Sequence, residues 1–222
     1  MRVPVYIIIA SICLSSCADW KINKGSPAQE SLTPQPETQK FNLDKNSDST
    51  LAQWAGYYEK IEPGFSLADF ELTSTDSLRI MQGNVLGSFD QNFEAIYEPF
   101  LIFNPDKSMY LDFDSNNWGI DESGEPSFSP DQEVNLVDMK RKTVSRLTYR
   151  GPSQWVEDAF WENDSTIILL ENGYEKQPVI TKLHLSDQLV RTYTYTDTLD
   201  LQTNYTNIRF RQKGINVKDH EE

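Results

Sequence analysis

Residues 159–170 read AFWENDSTIILL, and residues 179–195 read VITKLHLSDQLVRTYTY. Each stretch contains two short apolar or alternating runs that are separated by a polar turn, Glu162–Ser165 in the first and Ser186–Gln188 in the second. Short runs rich in β-branched and aromatic residues, divided by such turns, are typical of antiparallel hairpins. The two stretches therefore predict two consecutive hairpins.

The chain before residue 159 repeats this pattern. Three further pairs of strand-like runs flank polar turns: Phe70–Leu72 with Leu78–Met81, Phe100–Phe103 with Met109–Phe113, and Val134–Val137 with Val144–Tyr149. After residue 195, the segment Leu201–Phe210 is interpreted as a final strand. Short strands at this spacing indicate an antiparallel all-β domain.

A weak internal repeat refines this prediction. Residues 103–111 (FNPDKSMYL) and 161–169 (WENDSTIIL) share an aromatic residue, a turn with aspartate, a hydroxyl residue and an apolar strand. Leu136–Tyr149 and Leu183–Tyr195 then form two similar hairpins, and the first copy has extra residues at Asn116–Asp131. Two hairpins have the size of one four-stranded propeller blade.

The chain is too short for a complete propeller, which typically needs about 4–8 blades. We therefore expect antiparallel sheets with blade-like packing and no closed ring, with residues 65–81 contributing part of a third blade. A β-sandwich and an irregular barrel remain as alternatives.

The segment Leu51–Ile61 is ambiguous. Leu51, Trp54, Ala55, Tyr58 and Ile61 have helical spacing, Ser49 or Thr50 could cap a helix, and Pro63-Gly64 could end it. The same residues also suit a strand with a glycine kink, and a strand is the preferred interpretation from Tyr57 onward.

The N-terminus has the three parts of a signal peptide. Arg2 is followed by an apolar stretch from Val3 to Leu14, then by small residues and Cys17. The stretch is shorter than the roughly 20 residues that a membrane-spanning helix needs. Leu14-Ser15-Ser16-Cys17 resembles the lipobox of bacterial lipoproteins. The resemblance implies cleavage before Cys17 and attachment of lipid to its sulfur.

Together with the signal peptide, the composition divides the chain into four segments. We expect a signal peptide at 1–16, a lipidated N-terminus and flexible tether at 17–50, an all-β domain at 51–211 and a polar tail at 212–222. The tether assignment rests on Ser, Thr, Pro and Gln between isolated apolar residues. Cys13 would be lost with the signal peptide and Cys17 consumed by lipid, so no disulfide and no cofactor other than this covalent lipid is expected.

The chain is acidic, with a formal net charge of −14. Removing residues 1–16 takes away Arg2 and no acid, which changes −14 to −15. Nucleic acid is excluded as an expected partner, because binding phosphates needs a basic patch. Contact with a membrane is expected through the acyl chains.

Few catalytic motifs are present. The sequence has no Walker loop and no Rossmann fingerprint, and no nucleophile elbow accompanies His184. Glu157, Asp158 and Glu162 lie near tryptophans, but the sequence cannot place two acids across a sugar site. The catalytic residues therefore stay unassigned.

Two weak binding candidates remain. Asp112, Asp114 and Asn116 have the alternate spacing of oxygen ligands for calcium, although the segment departs from the EF-hand loop. An ordinary polar loop is the preferred interpretation of this segment. Trp118, Trp155 and Trp161 are candidates for a sugar platform, against which stands the usual burial of tryptophan in a core.

Gly151–Trp161 resembles a segment of Gram-negative envelope lipoproteins to which no activity is assigned. The leading hypothesis is a non-enzymatic, membrane-anchored envelope lipoprotein whose domain binds a protein partner or helps to assemble an envelope complex. The alternative is a surface lipoprotein that binds or cleaves carbohydrate. Ala18 follows the lipidated cysteine, and resemblance to enterobacterial sorting then implies the outer membrane.

Overall fold

A computed structural model describes residues 38–217, so Cys17, the signal peptide and His220 lie outside the described residues. Two α-helices are described, α1 (Ser49–Ile61) and α2 (Tyr205–Gln212). Short 3-10 helices cover Lys45–Ser47, Leu67–Asp69 and Ala95–Phe100. The described strands are β1 (Phe70–Ser77), β2 (Met81–Gln82), β3 (Ile102–Phe103), β4 (Met109–Asp112), β5 (Trp118–Ile120), β6 (Pro126–Phe128), β7 (Gln132–Asp138), β8 (Thr143–Arg150), β9 (Gln154–Asn163), β10 (Thr166–Gly173), β11 (Val179–His184) and β12 (Leu189–Tyr195).

The strands form antiparallel sheets, as expected. The first large sheet has the order β1-β12-β11-β10-β9, the second has the order β2-β8-β7-β4-β3, and β5 and β6 form a separate hairpin. Each large sheet therefore contains two consecutive hairpins and one edge strand from earlier in the chain. The hairpins β3–β4, β7–β8, β9–β10 and β11–β12 are those that the sequence predicts, and the inserted hairpin β5–β6 lies within the extra residues of the first copy.

Residues 65–81 correct the prediction of a hairpin and of part of a third blade. Residues 73–77, expected as a turn, continue β1, which pairs with β12 along its whole length with one irregularity near Thr73. β2 instead pairs with β8 in the second sheet. Threonine and serine are compatible with an exposed edge strand, so the polar composition alone did not identify a turn.

β10 is the central element of the packing. Ile167 and Leu169 pack between the two large sheets, and Ile168 and Leu170 pack beneath α1. Every residue of β10 is buried. A strand covered on both faces has a continuous apolar run rather than an alternating one, which explains the sequence IILL.

The helix α1 corrects the expectation of a strand from Tyr57 onward. Its N-cap is Asp48, whose carboxylate accepts a hydrogen bond from the Thr50 backbone N–H at 2.7 Å. Trp54 and Tyr58 are fully buried on the face that contacts the first sheet. The helical spacing was the decisive signal, because it brings these residues onto a single face.

The segment expected as a final strand is also helical over its second half. In α2, Tyr205, Arg209 and Phe210 are buried, which is the spacing of one helix face. Phe210 packs with Trp118, Tyr97, Phe100 and Val217 in a separate apolar cluster. Arg209 and Arg211 in the last turn favour a helix through its dipole.

The folded unit extends beyond the predicted boundaries of 51 and 211. Phe41 is buried against Tyr193, and the Phe41 N–H donates to the Phe70 carbonyl at 2.9 Å. At the other end, Val217 is buried. Isolated apolar residues in these polar segments thus pack against the domain. The average composition of a segment does not reveal them.

Two glycines give a matched stability test. A Cβ at Gly173 would lie 2.4 Å from the Ser153 carbonyl oxygen, whereas a Cβ at Gly56 in α1 meets nothing within 4 Å. We expect Gly173→Ala to lower the free energy of unfolding by about 1–3 kcal/mol through overpacking. Gly56→Ala should raise it by about 0.5–1 kcal/mol through helix propensity. Urea unfolding measures both, and a neutral Gly173→Ala would contradict the described approach of β9 and β10.

Candidate functional site

Glu157 on β9 is fully buried and connects three parts of the fold. Trp54 Nε1–H and the Tyr58 hydroxyl, both from α1, donate to its Oε2 at 2.8 and 2.6 Å. The Thr203 hydroxyl donates to its Oε1 at 3.1 Å. These bonds tie both α1 and the segment before α2 to the first sheet.

No cation pairs with Glu157 among its described hydrogen-bond partners. Burial raises the pKa of Glu157 above its ordinary value, while the hydrogen bonds from Tyr58, Trp54 and Thr203 oppose that rise. Asn172 extends the network, because its Nδ2–H₂ group donates to the Tyr58 and Thr203 hydroxyls at 2.9 Å each. The carboxyl group is therefore a structural connector with its oxygens occupied.

A buried ion pair fixes α2 on its other side. Arg209 donates to both carboxylate oxygens of Asp114, at 3.0 and 2.6 Å, and both side chains are at least 97% buried. The guanidinium group also lies over Phe113, with 4.7 Å from Cζ to the ring centroid. A bidentate pair of this kind restrains both position and orientation. The Nε atom of Arg209 has no hydrogen-bond partner within residues 38–217.

A surface cleft of about 330 Å³ lies against these two connectors. Both Thr203 and Arg209 contribute to its wall. The rest of the lining comes from the loop after β6, from the start of β9, from the turn after β10 and from α2: Asn117, Phe128, Ser129, Pro130, Gln132, Pro152, Gln154, Trp155, Val156, Tyr174, Asn204, Thr206 and Asn207. The volume is at the lower end of the range for ligand sites, about 300–1,000 Å³.

The aromatic rings of Trp155 and Tyr174 lie at the opening of this cleft. Trp155 is partly exposed, and Tyr174, in the turn after β10, is 69% exposed. Their ring centroids are 5.7 Å apart and their planes meet at 71°. Gly173, which precedes Tyr174, approaches the Ser153 backbone so closely that a side chain there would clash. This close approach brings the Tyr174 turn against the start of β9.

The structure separates the three candidate tryptophans. Trp118 is 4% exposed and packs in the cluster around Phe210, and Trp161 is 9% exposed. Trp161 Nε1–H donates to the Ile102 carbonyl at 2.9 Å, which joins β9 to β3. Only Trp155 of the three lines the cleft. Trp118 and Trp161 are thus largely buried in the core, although Trp161 also lines a second cleft described below, and the structure does not bring either of them to the cleft of Trp155.

In the structure, the residues of the calcium candidate, Asp112, Asp114 and Asn116, lie in different surroundings. The Asp112 carboxylate accepts hydrogen bonds from the Asp114 and Ser115 backbone N–H groups at 3.0 and 2.9 Å. Asp114 is occupied by Arg209, as described above, and Asn116 lines a different small pocket. Within residues 38–217, no group of at least three His, Cys, Asp or Glu side chains is placed to hold a metal ion.

The acids near the tryptophans have protein partners as well. Asp158 accepts from the Ala159 N–H at 2.9 Å and from the Tyr205 hydroxyl at 3.3 Å, and Glu162 pairs with Lys182 at 2.9 Å. None of Glu157, Asp158 and Glu162 lines the cleft of Trp155 and Tyr174. Within the described part of the chain, the residues that line this cleft include no pair of acids of the kind used in glycoside hydrolysis.

A second cleft of about 490 Å³ lies on the other side of Arg209. It contains charged groups, among them Asp48, Asp158 and Lys213. Lys213 Nζ donates to the Pro99 carbonyl at 2.7 Å, and burial lowers its pKa. Phe103 is the exposed aromatic residue at its edge. Because its charged groups have protein partners, this cleft is the weaker candidate for a ligand site.

Sequence reasoning identified only Trp155 in the favoured cleft and missed its other residues, among them Tyr174, Thr206, Asn207 and Arg209. Tyr174 offered a usable signal, since an aromatic residue in the polar turn ENGYEK has no apolar neighbours to pack against. Thr206, Asn207 and Arg209 offered none, because the segment was interpreted as a strand and its helical face was not considered.

No family model matches this sequence, and no curated protein or solved structure matches the chain. No helix within residues 38–217 has the length and apolar character needed to cross a membrane. The function must therefore be inferred from the site itself.

Glu157 gives a test of the connector with a defined pH dependence. Its ordinary pKa is about 4.5 and its folded pKa is raised by burial, so over the interval above 4.5 the folded state retains a proton that the unfolded state has lost. Wild type should thus lose stability relative to Glu157→Gln as pH rises through that interval. Denaturant unfolding of both proteins between pH 4 and 8 measures the difference.

The control for this test is Glu157→Ala, which removes the acceptor of the Trp54, Tyr58 and Thr203 donors. It should be less stable than Glu157→Gln at every pH, because a buried unsatisfied donor costs about 1–3 kcal/mol. A wild type that gains stability relative to Glu157→Gln as pH rises from 4 to 8 would contradict the raised pKa.

Proposed function

We propose that this chain is a lipid-anchored protein of the bacterial cell envelope whose β-domain is a non-enzymatic binding module. The observation that supports a binding function is the cleft of Trp155 and Tyr174. An aromatic ring exposed to solvent at a concave site is typical of ligand-binding surfaces, because a large apolar face otherwise packs in the core.

The absence of a free acid in this cleft supports binding rather than catalysis. Acid–base catalysis needs a titratable group within reach of the substrate. The charged residue of the lining is Arg209, whose charge is balanced by Asp114. The cleft thus has groups that can hold a ligand and no described group that can exchange a proton with it near neutral pH.

The proposed anchor is Cys17 in the sequence LSSC. Lipid chains on this residue would hold the domain at a membrane, with about 0.8 kcal/mol for each buried methylene group. The outer membrane is the proposed location, on the basis of Ala18. A binding module held at this surface would recruit or retain its ligand there.

Site-specific photocrosslinking in intact cells tests this function. A photoreactive amino acid replaces Tyr174 in the cleft or, as a control, the exposed Asp187 in the turn between β11 and β12, at the opposite end of the same sheet. We expect a crosslinked product at position 174 and none at 187. We also expect Cys17→Ser to abolish lipid labelling and to release the protein from the membrane fraction.

Two results would contradict the proposal. Equal crosslinking at positions 174 and 187 would show that the cleft has no preference for a ligand. A Cys17→Ser protein that stays in the membrane fraction would show that lipid on this residue is not the anchor.

A further inference from the structure

The geometry of the cleft points to a neutral oligosaccharide as its ligand. This inference rests on the proposed binding function and adds the chemical class of the ligand. We infer that a sugar ring packs into the corner formed by Trp155 and Tyr174 and that its hydroxyl groups bond to polar atoms at the start of α2.

The angle between the two rings is the first reason. With planes at 71° and centroids 5.7 Å apart, Trp155 and Tyr174 form a corner and not a flat platform. A sugar ring has an apolar face of C–H groups and a rim of hydroxyl groups. One aromatic ring of the corner can cover that face while the other closes the side, and the rim stays free to form hydrogen bonds.

Unpaired polar atoms are the second reason. Arg209 Nε and Thr206 Oγ1 both belong to residues of the cleft wall, are buried, and have no hydrogen-bond partner within residues 38–217. Native proteins satisfy nearly all buried polar atoms, so each exception needs an explanation. A hydroxyl group is chemically suited to both atoms, because it can accept from Arg209 Nε–H and can bond to Thr206 in either direction.

The start of α2 adds further polar groups. Its N-cap residue Asn204 forms no side-chain capping bond, and the side chains of Asn204 and Asn207 both line the cleft. Amide groups offer donors and acceptors at the same time, which matches the dual character of sugar hydroxyls. The Asn204 Oδ1 already accepts a hydrogen bond from the Tyr57 hydroxyl at 3.0 Å, and a purely apolar ligand would exclude water from the remaining polar atoms of the two amides.

Charge decides between a neutral and an acidic sugar. Arg209, the one cation that lines the cleft within residues 38–217, already forms two hydrogen bonds with Asp114. The whole chain has a formal charge of −14, which repels an anionic ligand. A neutral glycan is therefore favoured over a polyuronate. The volume of about 330 Å³ is at the lower end of the range for ligand sites, which suits a short stretch of a glycan chain.

Isothermal titration calorimetry of the full chain carrying Cys17→Ser tests the inference. The probes are cellohexaose, xylohexaose, chitohexaose and laminarihexaose as neutral oligosaccharides, with an oligogalacturonide as the anionic comparison. We expect binding of at least one neutral probe and weaker or no binding of the oligogalacturonide. Intrinsic fluorescence should change on binding, because Trp155 contacts the sugar.

The variants localise the binding. Trp155→Ala and Tyr174→Ala should each weaken binding of the neutral probe by about tenfold or more, which corresponds to about 1.4 kcal/mol. Phe103→Ala, an exposed aromatic residue at the second cleft, should leave the affinity unchanged. Circular dichroism of each variant confirms that it is folded. Tyr174→Phe, which keeps the ring, should retain most of the affinity.

The outcomes separate this inference from the proposed function. If no neutral oligosaccharide binds but a protein is crosslinked at position 174 in cells, the glycan inference is wrong and the binding function stands with a protein ligand. Preferential binding of the oligogalacturonide would overturn the assignment of a neutral sugar. If no probe binds and no crosslink forms at position 174, both proposals fail.

Discussion

The buried carboxyl group of Glu157 is the interaction on which the arrangement of the domain depends. Two donors from α1 and one from the segment before α2 converge on it from elements that are distant in sequence. A buried acid without a cation is costly, and it is tolerated only because its oxygens accept several hydrogen bonds. The cost of removing any one partner is correspondingly high, since each leaves a polar atom unsatisfied in an apolar environment. Apolar packing brings α1 onto the sheet, and Glu157 determines the position in which it is held.

The cleft depends on the same connector. Thr203 belongs both to the Glu157 network and to the cleft wall, and Arg209 belongs both to the ion pair with Asp114 and to that wall. The groups that face a ligand are thus fixed from behind by buried polar contacts. A site fixed in this way loses little conformational entropy when it binds, which favours affinity from a small contact area. This also explains why an acidic protein can present a neutral cleft, because the acids nearest to it are directed inward and have partners.

The sequence was a good guide to the β-hairpins and a poor guide to the segments that cover them. The runs around IILL and the turns at Glu162–Ser165 and Ser186–Gln188 predicted the correct hairpins, because alternation and turn chemistry are local properties. α1 and α2 were harder, since aromatic residues such as Tyr57 and Phe210 suit both helix and strand, and the packing partners decide between them. Of the candidate site, the sequence predicted only one residue, Trp155. Tyr174 and Arg209 join Trp155 only through the pairing of β9 with β10 and the docking of α2, which are contacts between residues far apart in the chain.

Hydrogen exchange of backbone amides, followed by mass spectrometry, tests the central claim that Glu157 fixes the segment before α2. In wild type, the amides of residues 203–209 should be protected to nearly the same degree as those of β10. In Glu157→Ala, protection should fall selectively in residues 203–209 and in α1, with β10 and β11 still protected under the same conditions. Unchanged protection of residues 203–209, or an equal loss across the whole domain, would contradict the role assigned to Glu157.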